Sequence, residues 1–205
     1  MNMKRLLTIV LAATMMFAGV NASAQKWTAA GGYSTFSLSG SDANSVMDES
    51  IPGFYFGVNY DYAFSTIEGL TVEPGVYIMH YGKDFKLPFV DGSKSYRANY
   101  VRVPVNLKYE LPLDAGVSIS LFTGPRFNFG IGGNMFSKGV TYPGLKGLDA
   151  QWGLGASVVI SEAIMIRAGY DLGLTKCIKN NTKEHGWDDL NVYRNTLYLG
   201  IGFAF

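Results

Sequence analysis

The chain has 205 residues, with 17 basic and 16 acidic side chains and a formal net charge of +1 at pH 7. That balance excludes the basic surplus typical of nucleic-acid-binding proteins, and the single cysteine, Cys177, excludes an internal disulfide framework. The content of 25 glycines, 13 tyrosines and 13 phenylalanines, with only 16% charged residues, indicates an all-β protein.

The first 24 residues are predicted to be a secretory signal peptide. Lys4 and Arg5 form a short basic start, residues 6–20 are mostly apolar, and Ala-Ser-Ala at 22–24 fits a cleavage site. An uncleaved anchor is the alternative, although the apolar run is short for a spanning helix. One domain would then cover residues 25–205, with 15 basic and 16 acidic residues.

Eight segments with a period of two follow in chain order, and each is predicted to be a β-strand. The clearest is 99–111, where Val101, Val103, Val105 and Leu107 alternate with polar residues, a pattern that excludes an amphipathic helix. The first segment alternates least, and its facing stays open. The predicted strands are 27–38, 53–64, 70–81, 99–111, 116–130, 151–161, 163–175 and 191–205.

The predicted connections alternate in length. Short turns cover 65–69, 112–115 and the neighbourhood of Glu162, whereas long loops cover 39–52, 82–98, 131–150 and 176–190. The long loops hold Gly, Asn, Asp, Ser and Lys, the residues of exposed loops. Since alternate connections of a meander emerge at the same end, all four long loops would share one end.

These patterns predict an all-β fold, an eight-stranded antiparallel up-and-down transmembrane β-barrel with four long outer loops and three short periplasmic turns. A soluble barrel with an apolar interior is the alternative. Glycines favour the membrane barrel, because they crowd the polar face, and a narrow interior needs small residues there. They are Gly57, Gly75, Gly124, Gly153, Gly155, Gly169, Gly173, Gly200 and Gly202.

Nine charged residues are predicted to point into the barrel and to form a network of ion pairs, because a buried charge must be paired or hydrated. Four acids against five bases do not indicate a strongly selective pore. A small anion path along Arg126, Arg167 and Arg194 is the alternative. The nine residues are Asp61, Glu73, Arg102, Lys108, Glu110, Arg126, Arg167, Asp171 and Arg194.

No catalytic or metal-binding spacing is recognisable, so neither an enzyme activity nor a metal or cofactor is predicted. His185 with Asp188 and Asp189 could activate water on an outer loop, but a solvated polar loop is the simpler interpretation.

The apolar stretch FKLPFV at 85–90 is predicted to pack on the barrel rim, with partner binding as the alternative. Cys177 is interpreted as a spare thiol, with intermolecular pairing as the alternative. Pro104 predicts a bulge or local break in its strand.

The sequence resembles the PorT-like outer-membrane β-barrel proteins, within the wider group that shares an eight-strand, outer-membrane protein A-like barrel. Three stretches carry the resemblance: YVRVPVNLKYEL at 100–111, GLGASVVISEAIMIRAGYDLGLT at 153–175 and RNTLYLGIGFAF at 194–205. It implies a bacterial outer-membrane location after export, contact with outer-membrane lipid, and recognition of the terminal Phe205 by the outer-membrane assembly machinery. It says little about activity, because members of the group have differing roles.

We therefore expect a non-enzymatic barrel of the Gram-negative envelope that is structural or binds an unidentified partner through its outer loops. A narrow porin for small solutes is the main alternative. A component that assists protein secretion, as members of the PorT branch do, is the weaker one. A nucleic-acid partner is not expected, because the chain has no basic surplus.

Overall fold

Eight antiparallel strands form one closed barrel, in which each strand pairs with the next and the last pairs with the first. The computed structural model describes residues 26–47, 49–64, 66–86, 93–113, 116–136, 144–179 and 190–205. All eight predicted strands and the up-and-down topology are confirmed. The strands are β1 Lys26–Ser39, β2 Ile51–Ala63, β3 Leu70–Lys86, β4 Ser93–Pro112, β5 Val117–Gly132, β6 Leu148–Ile160, β7 Ile164–Gly173 and β8 Tyr193–Ala204.

The two faces of the sheet have the predicted polarity. Along β8, Leu197, Leu199, Ile201 and Phe203 are exposed, whereas Tyr198 between them is buried in the interior. Because side chains alternate across a strand, the same period of two turns the large apolar residues outward on every strand. On β1, whose facing the sequence left open, the interior residues are Thr28, Ala30, Gly32, Ser34 and Phe36.

The barrel has two different ends. We call the end where β2, β4, β6 and β8 finish the turn end, and the opposite end the loop end. Three connections of three to six residues lie at the turn end. At the loop end a short helix, α1 Ala43–Val46, follows β1, and a 3₁₀ turn, Asn134–Phe136, follows β5.

The structure differs from the sequence prediction at the second loop-end connection. The sequence predicts a long loop at residues 82–98, but β3 continues to Lys86 and β4 begins at Ser93. The two strands pair in register up to Lys86 and Ser93. Alternation fails as a signal there, because a hairpin that extends past the barrel has no interior to fill.

Pro104 lies in a gap of the β3–β4 ladder without a bulge, whereas on the other side of β4 it still pairs with Arg126 of β5. The register with β3 runs from Pro74 opposite Val105 directly to Tyr77 opposite Arg102, and neither ladder shifts at the proline. The one register shift in the β4–β5 ladder lies between Asn99 and Tyr100 instead. The predicted break therefore exists as a gap in pairing, because proline cannot donate a ladder bond.

Two glycines sit opposite each other where β1 and β8 close the barrel. Gly32 pairs with Gly200, and a Cβ on Gly32 would lie 2.2 Å from the carbonyl oxygen of Leu199. A Cβ on Gly200 would lie 2.2 Å from the hydroxyl of Tyr55. The tyrosine thus fills the space that Gly200 leaves. At the turn end, Phe205 and Trp27 exchange backbone hydrogen bonds of 2.8 and 3.0 Å.

Gly32→Ala is expected to lower the free energy of unfolding by about 2 kcal/mol, because the new methyl group would overlap the β8 backbone. Urea unfolding of the vesicle-reconstituted barrel, followed by its shift in gel mobility, measures the effect. Gly147→Ala is the matched control, since a Cβ at Gly147 meets no atom within 4 Å. Equal unfolding midpoints for the two variants would contradict the crowding argument.

Candidate functional site in the barrel interior

Asp171, on β7, is fully buried and centres the first of three interior ion clusters. Its Oδ2 accepts a hydrogen bond from Nη1 of Arg102 at 2.6 Å, and its Oδ1 accepts one from Nε of Arg126 at 3.0 Å. Arg102 also donates to Asn128 and to Gln151, at 2.7 and 2.9 Å. These contacts connect β4, β5, β6 and β7 across the lumen.

The second cluster lies nearer the turn end and is built around Glu73 on β3. Its Oε1 accepts a 2.6 Å hydrogen bond from Nη2 of Arg167. Lys108 binds Asp61 and lies 3.9 Å from Oε2 of Glu73 and 3.8 Å from Glu110. The Glu110 side chain is 35% exposed, so this cluster reaches toward the solvent at the turn end.

The third cluster lies nearest the loop end and pairs Arg194 with Asp149. Arg194 Nη2 lies 2.9 Å from Oδ2 of Asp149, and both side chains are almost completely buried. The guanidinium carbon lies 4.1 Å from the ring centre of Tyr100 and 5.7 Å from that of Phe36. Aromatic faces and a carboxylate together satisfy a charge that would be costly to bury alone.

The structure places all nine sequence-predicted residues on the interior face and brings each into one of these clusters. The three arginines of the alternative anion path contact three different carboxylates: Arg126 binds Asp171, Arg167 binds Glu73 and Arg194 binds Asp149. No one of these three arginines is left without an acidic partner.

Asp149 is the interior charge that the sequence analysis missed. The sixth strand was predicted to begin at Gln151, whereas β6 begins at Leu148. Asp149 has the same parity as Gln151 and Gly153, which both face inward. Extending the alternation by two residues would have found it, and would have given Arg194 its partner.

Between the first two clusters lies a cavity of about 30 Å³, lined in part by Tyr55, Tyr77 and Tyr198. That volume holds about two water molecules, which is too little for a hydrated ion or a solute. Tyr77 donates a 2.6 Å hydrogen bond to Asn59, and the Tyr55 ring stacks edge-on against Tyr198. Side chains therefore fill most of the lumen at this level.

Apolar residues close the lumen at the loop end. We call residues 133–136, 144–147 and 176–179 the cap. Leu145 and Ile178 form a β-bridge, and the N–H of Lys146 donates to the carbonyl of Cys177 at 2.7 Å. Leu145, Cys177 and Ile178 are at most 3% exposed. The sequence did not predict the cap, because its segments lack a period. Its buried residues share one cluster with Phe36, Ile51, Tyr81, Tyr100 and Val192.

Other sequence candidates fall outside these clusters. His80 lies outside the interior, with Nδ1 2.6 Å from Oδ1 of Asn99. His185, Asp188 and Asp189, and the part of FKLPFV at 87–90, lie outside the described residues. Among the described residues, no three His, Cys, Asp or Glu side chains lie close enough to hold a metal ion. In the same part of the chain, no helix combines the length and apolarity that a membrane crossing requires.

Comparison with known proteins gives a family match over most of the chain. A family model described as "Outer membrane protein beta-barrel domain" matches residues 18–179. A search of curated proteins found no match. The family match includes β1 to β7 and the described part of the cap.

Solved structures provide a similar barrel at low sequence identity. The attachment invasion locus protein Ail of Yersinia pestis, in complex with the heparin analogue sucrose octasulfate, has a TM-score of 0.52 at 15% identity, over 89% of this chain and 100% of that chain. Neisserial surface protein A gives 0.49 at 16% identity, over 89% and 100%. The N-terminal β-barrel domain of Pseudomonas aeruginosa OprF gives 0.41 at 14% identity, over 88% and 97%. The likeness to Ail concerns the fold alone.

Cys177 is expected to resist thiol reagents in the folded barrel and to react after unfolding. Burial raises the pKa of its thiol to about 12, so the reactive thiolate is scarce at ordinary pH and becomes abundant only above that value. Intact-mass measurement after maleimide treatment tests this. An exposed thiol in the same protein, Ser41→Cys combined with Cys177→Ser, is the control. Comparable labelling rates for the two folded proteins would contradict a closed cap.

Proposed function

The chain belongs to the outer membrane protein β-barrel domain family, and on that premise we propose that it is a non-enzymatic, non-conducting barrel that acts through its loop end. The family places it in the outer membrane of bacteria, in contact with outer-membrane lipid. Its outward-facing apolar side chains fit this location, because lipid and not water surrounds the strands there. What remains to be assigned is the role of the interior and of the loops.

The filled lumen is the observation that carries the proposal. A solute that enters from the loop end meets the cap, then the Arg194–Asp149 pair, and then the cluster around Asp171. Separating one buried ion pair costs about 3–5 kcal/mol, because each charge is left without a partner in a dry environment. Passage would need several such separations at once. This argument supports a structural or binding role over the narrow porin.

The ion clusters fit this role, since they hold the strands together across the barrel. Arg167 and Glu73 are 94 positions apart in sequence, and Arg102 and Asp171 are 69 apart. Such contacts give a small barrel a fixed cross-section, on which loops can be presented in a constant arrangement. Two of the loop-end connections are tied together in the cap, which further reduces their freedom.

A partner at the loop end is the part of the proposal that concerns recognition. The Ail structure is a complex with the heparin analogue sucrose octasulfate, so a barrel of similar fold can bind another molecule. Over the loop end as a whole, charge does not favour a polyanion, because segments 40–50, 82–98, 133–147 and 174–192 together hold eight acidic and nine basic residues. A role in protein secretion rests on the PorT-like resemblance alone, and no residue described here carries it.

The protein without its predicted signal peptide, refolded into planar bilayers, is expected to give no steady ion channels. The reason is that the clusters and the cap leave no continuous aqueous path along the lumen as the described residues define it. Single-channel recording tests this, with a general porin in the same bilayers as the positive control. Steady ohmic steps from correctly folded protein would overturn the proposal and favour the porin alternative.

Deletion of Phe205 is expected to reduce the amount of barrel assembled in the outer membrane several-fold, and to lower the stability of the folded barrel only by its two backbone hydrogen bonds with Trp27, about 2 kcal/mol. The Phe205 side chain is 70% exposed, so it adds little packing, and we propose that it serves as the signal read by the assembly machinery. Membrane fractionation in cells and urea unfolding after refolding in vitro separate the two effects. Phe205→Tyr keeps an aromatic end and is the control. Normal assembly of the deletion variant would rule out the signal role.

A further inference from the structure

β3 continues past the end of its pairing with β2. The β2–β3 ladder ends at Gly53 opposite Tyr81, although β3 extends to Lys86. The Glu110 N–H donates to the Gly69 carbonyl at 2.8 Å, so the odd-numbered positions bond toward β4. Since bonding alternates along an antiparallel strand, the even-numbered residues of β3 direct their N–H and C=O groups toward β2.

Pro52 explains where the ladder stops. It is the next β2 residue that would bond toward β3, opposite Gly82, and proline has no N–H to donate. Pro52 still pairs with Thr35 of β1, because its missing donor faces the other strand. The proline thus ends the β2–β3 ladder without disturbing the β1–β2 ladder.

The consequence is an open strip of backbone, formed by the N–H and C=O groups of Gly82, Asp84 and Lys86. In the part of the chain that the structure describes, only β4 pairs with β3 beyond Tyr81. Asp84 is exposed and Gly82 is half-buried. Among the described residues no strand pairs with β3 on the side that β2 has left, so the strip is open there.

The opposite edge of the same hairpin is covered. The N–H of Arg97, which faces away from β3, donates to Oδ1 of Asn134 at 2.7 Å. Gly133 lies against the Arg97 carbonyl so closely that a Cβ would come within 2.2 Å of that oxygen. The 3₁₀ turn of the cap thus satisfies the β4 edge, whereas the open strip on β3 has no equivalent cover among the described residues.

We propose that the open strip binds an extended acidic segment of a partner protein, which adds to β3 as a further strand. This proposal rests on the loop-end role proposed above and names the partner class. Strand addition to a free edge supplies affinity through main-chain hydrogen bonds and specificity through the alternating side chains. Each of Gly82, Asp84 and Lys86 offers one N–H and one C=O group on the same edge of β3.

Charge selects the acidic segment. Lys83, which lies between the strip residues Gly82 and Asp84, already holds the carboxylate of Glu49 at 2.5 Å, so this edge accepts an acidic group. In sequence, the hairpin 82–98 carries four bases and two acids, so an acidic strand complements it. A second copy of the chain is a poorer occupant. Two copies in one membrane would present like-charged strips, and their β3 strands would run parallel, a slightly less stable pairing.

The test is amide exchange at Gly82, Asp84 and Lys86 in the full protein, reconstituted in uncharged nanodiscs. The probes are two short synthetic peptides, one alternating glutamate with valine and one alternating lysine with valine. The acidic peptide is expected to slow exchange at these three amides by about tenfold, the effect of one added net hydrogen bond each. The basic peptide is expected to leave them unchanged.

Two variants separate backbone pairing from charge. Asp84→Pro removes the central donor of the strip, which an edge position tolerates, and is expected to weaken binding of the acidic peptide about tenfold. Asp84→Asn is the matched control and is expected to bind at least as well as the native chain. Pro52→Val restores the missing N–H, so it is expected to extend the β2–β3 ladder, slow exchange at Gly82 without peptide, and reduce peptide binding.

Several results would overturn the proposal: no slowing by the acidic peptide, equal slowing by both peptides, or equal binding by Asp84→Pro and Asp84→Asn. Slowing that appears without peptide and grows with protein concentration would identify a second copy as the occupant and would equally overturn it. Conductance in bilayers would contradict the non-conducting role but would not alter exchange at the strip, so the two failures are distinguishable.

Discussion

The carboxylate of Asp171 holds one arginine on each oxygen in a space from which solvent is excluded. Most other features of the barrel follow from the need to bury charge in so narrow a tube. A Cβ at Gly153 would lie 2.2 Å from the guanidinium carbon of Arg126, so glycine is required where the cluster meets the wall. Asn128, Gln151 and Thr196 supply further partners for the guanidinium of Arg102, because buried donors that are left unpaired are costly.

The exterior of the barrel requires apolar side chains, whereas the interior requires paired charges, and both requirements apply to alternate residues of the same strand. Along β4, Arg102 and Lys108 face the ion clusters while Val105 and Leu107 between them are exposed to the lipid side. A shift of one residue in register would exchange these faces, placing charge in lipid and aliphatic groups among ions. A register shift is therefore unfavourable both in the lipid and in the barrel interior, and together these two costs fix the register of each strand.

The fold was predictable because lipid on one face of each strand and ion clusters on the other require apolar and polar residues to alternate along the sequence. The interior charges were predictable for the same reason, strand by strand. What escaped prediction lies where the constraint ends. Asp149 was missed because β6 begins before its alternation becomes recognisable, and the cap was missed because Leu145 and Ile178 are brought together by loops. The hairpin of β3 and β4 has no recognisable period of two, since beyond Tyr81 there is no lumen to impose one.

The ion pairs join strands that are distant in the chain, and this has a consequence for how the barrel forms. Glu73 on β3 finds its arginine only when β7 is in place, 94 positions later, and Asp171 needs both β4 and β5. A partly built sheet would carry unpaired charges and an unpaired edge into lipid, where neither is satisfied. Assembly should therefore be highly cooperative, with closure of β8 on β1 and pairing of the interior charges occurring as one event. The late strand β7 thus completes the charge pairing of the early strands β3 and β4.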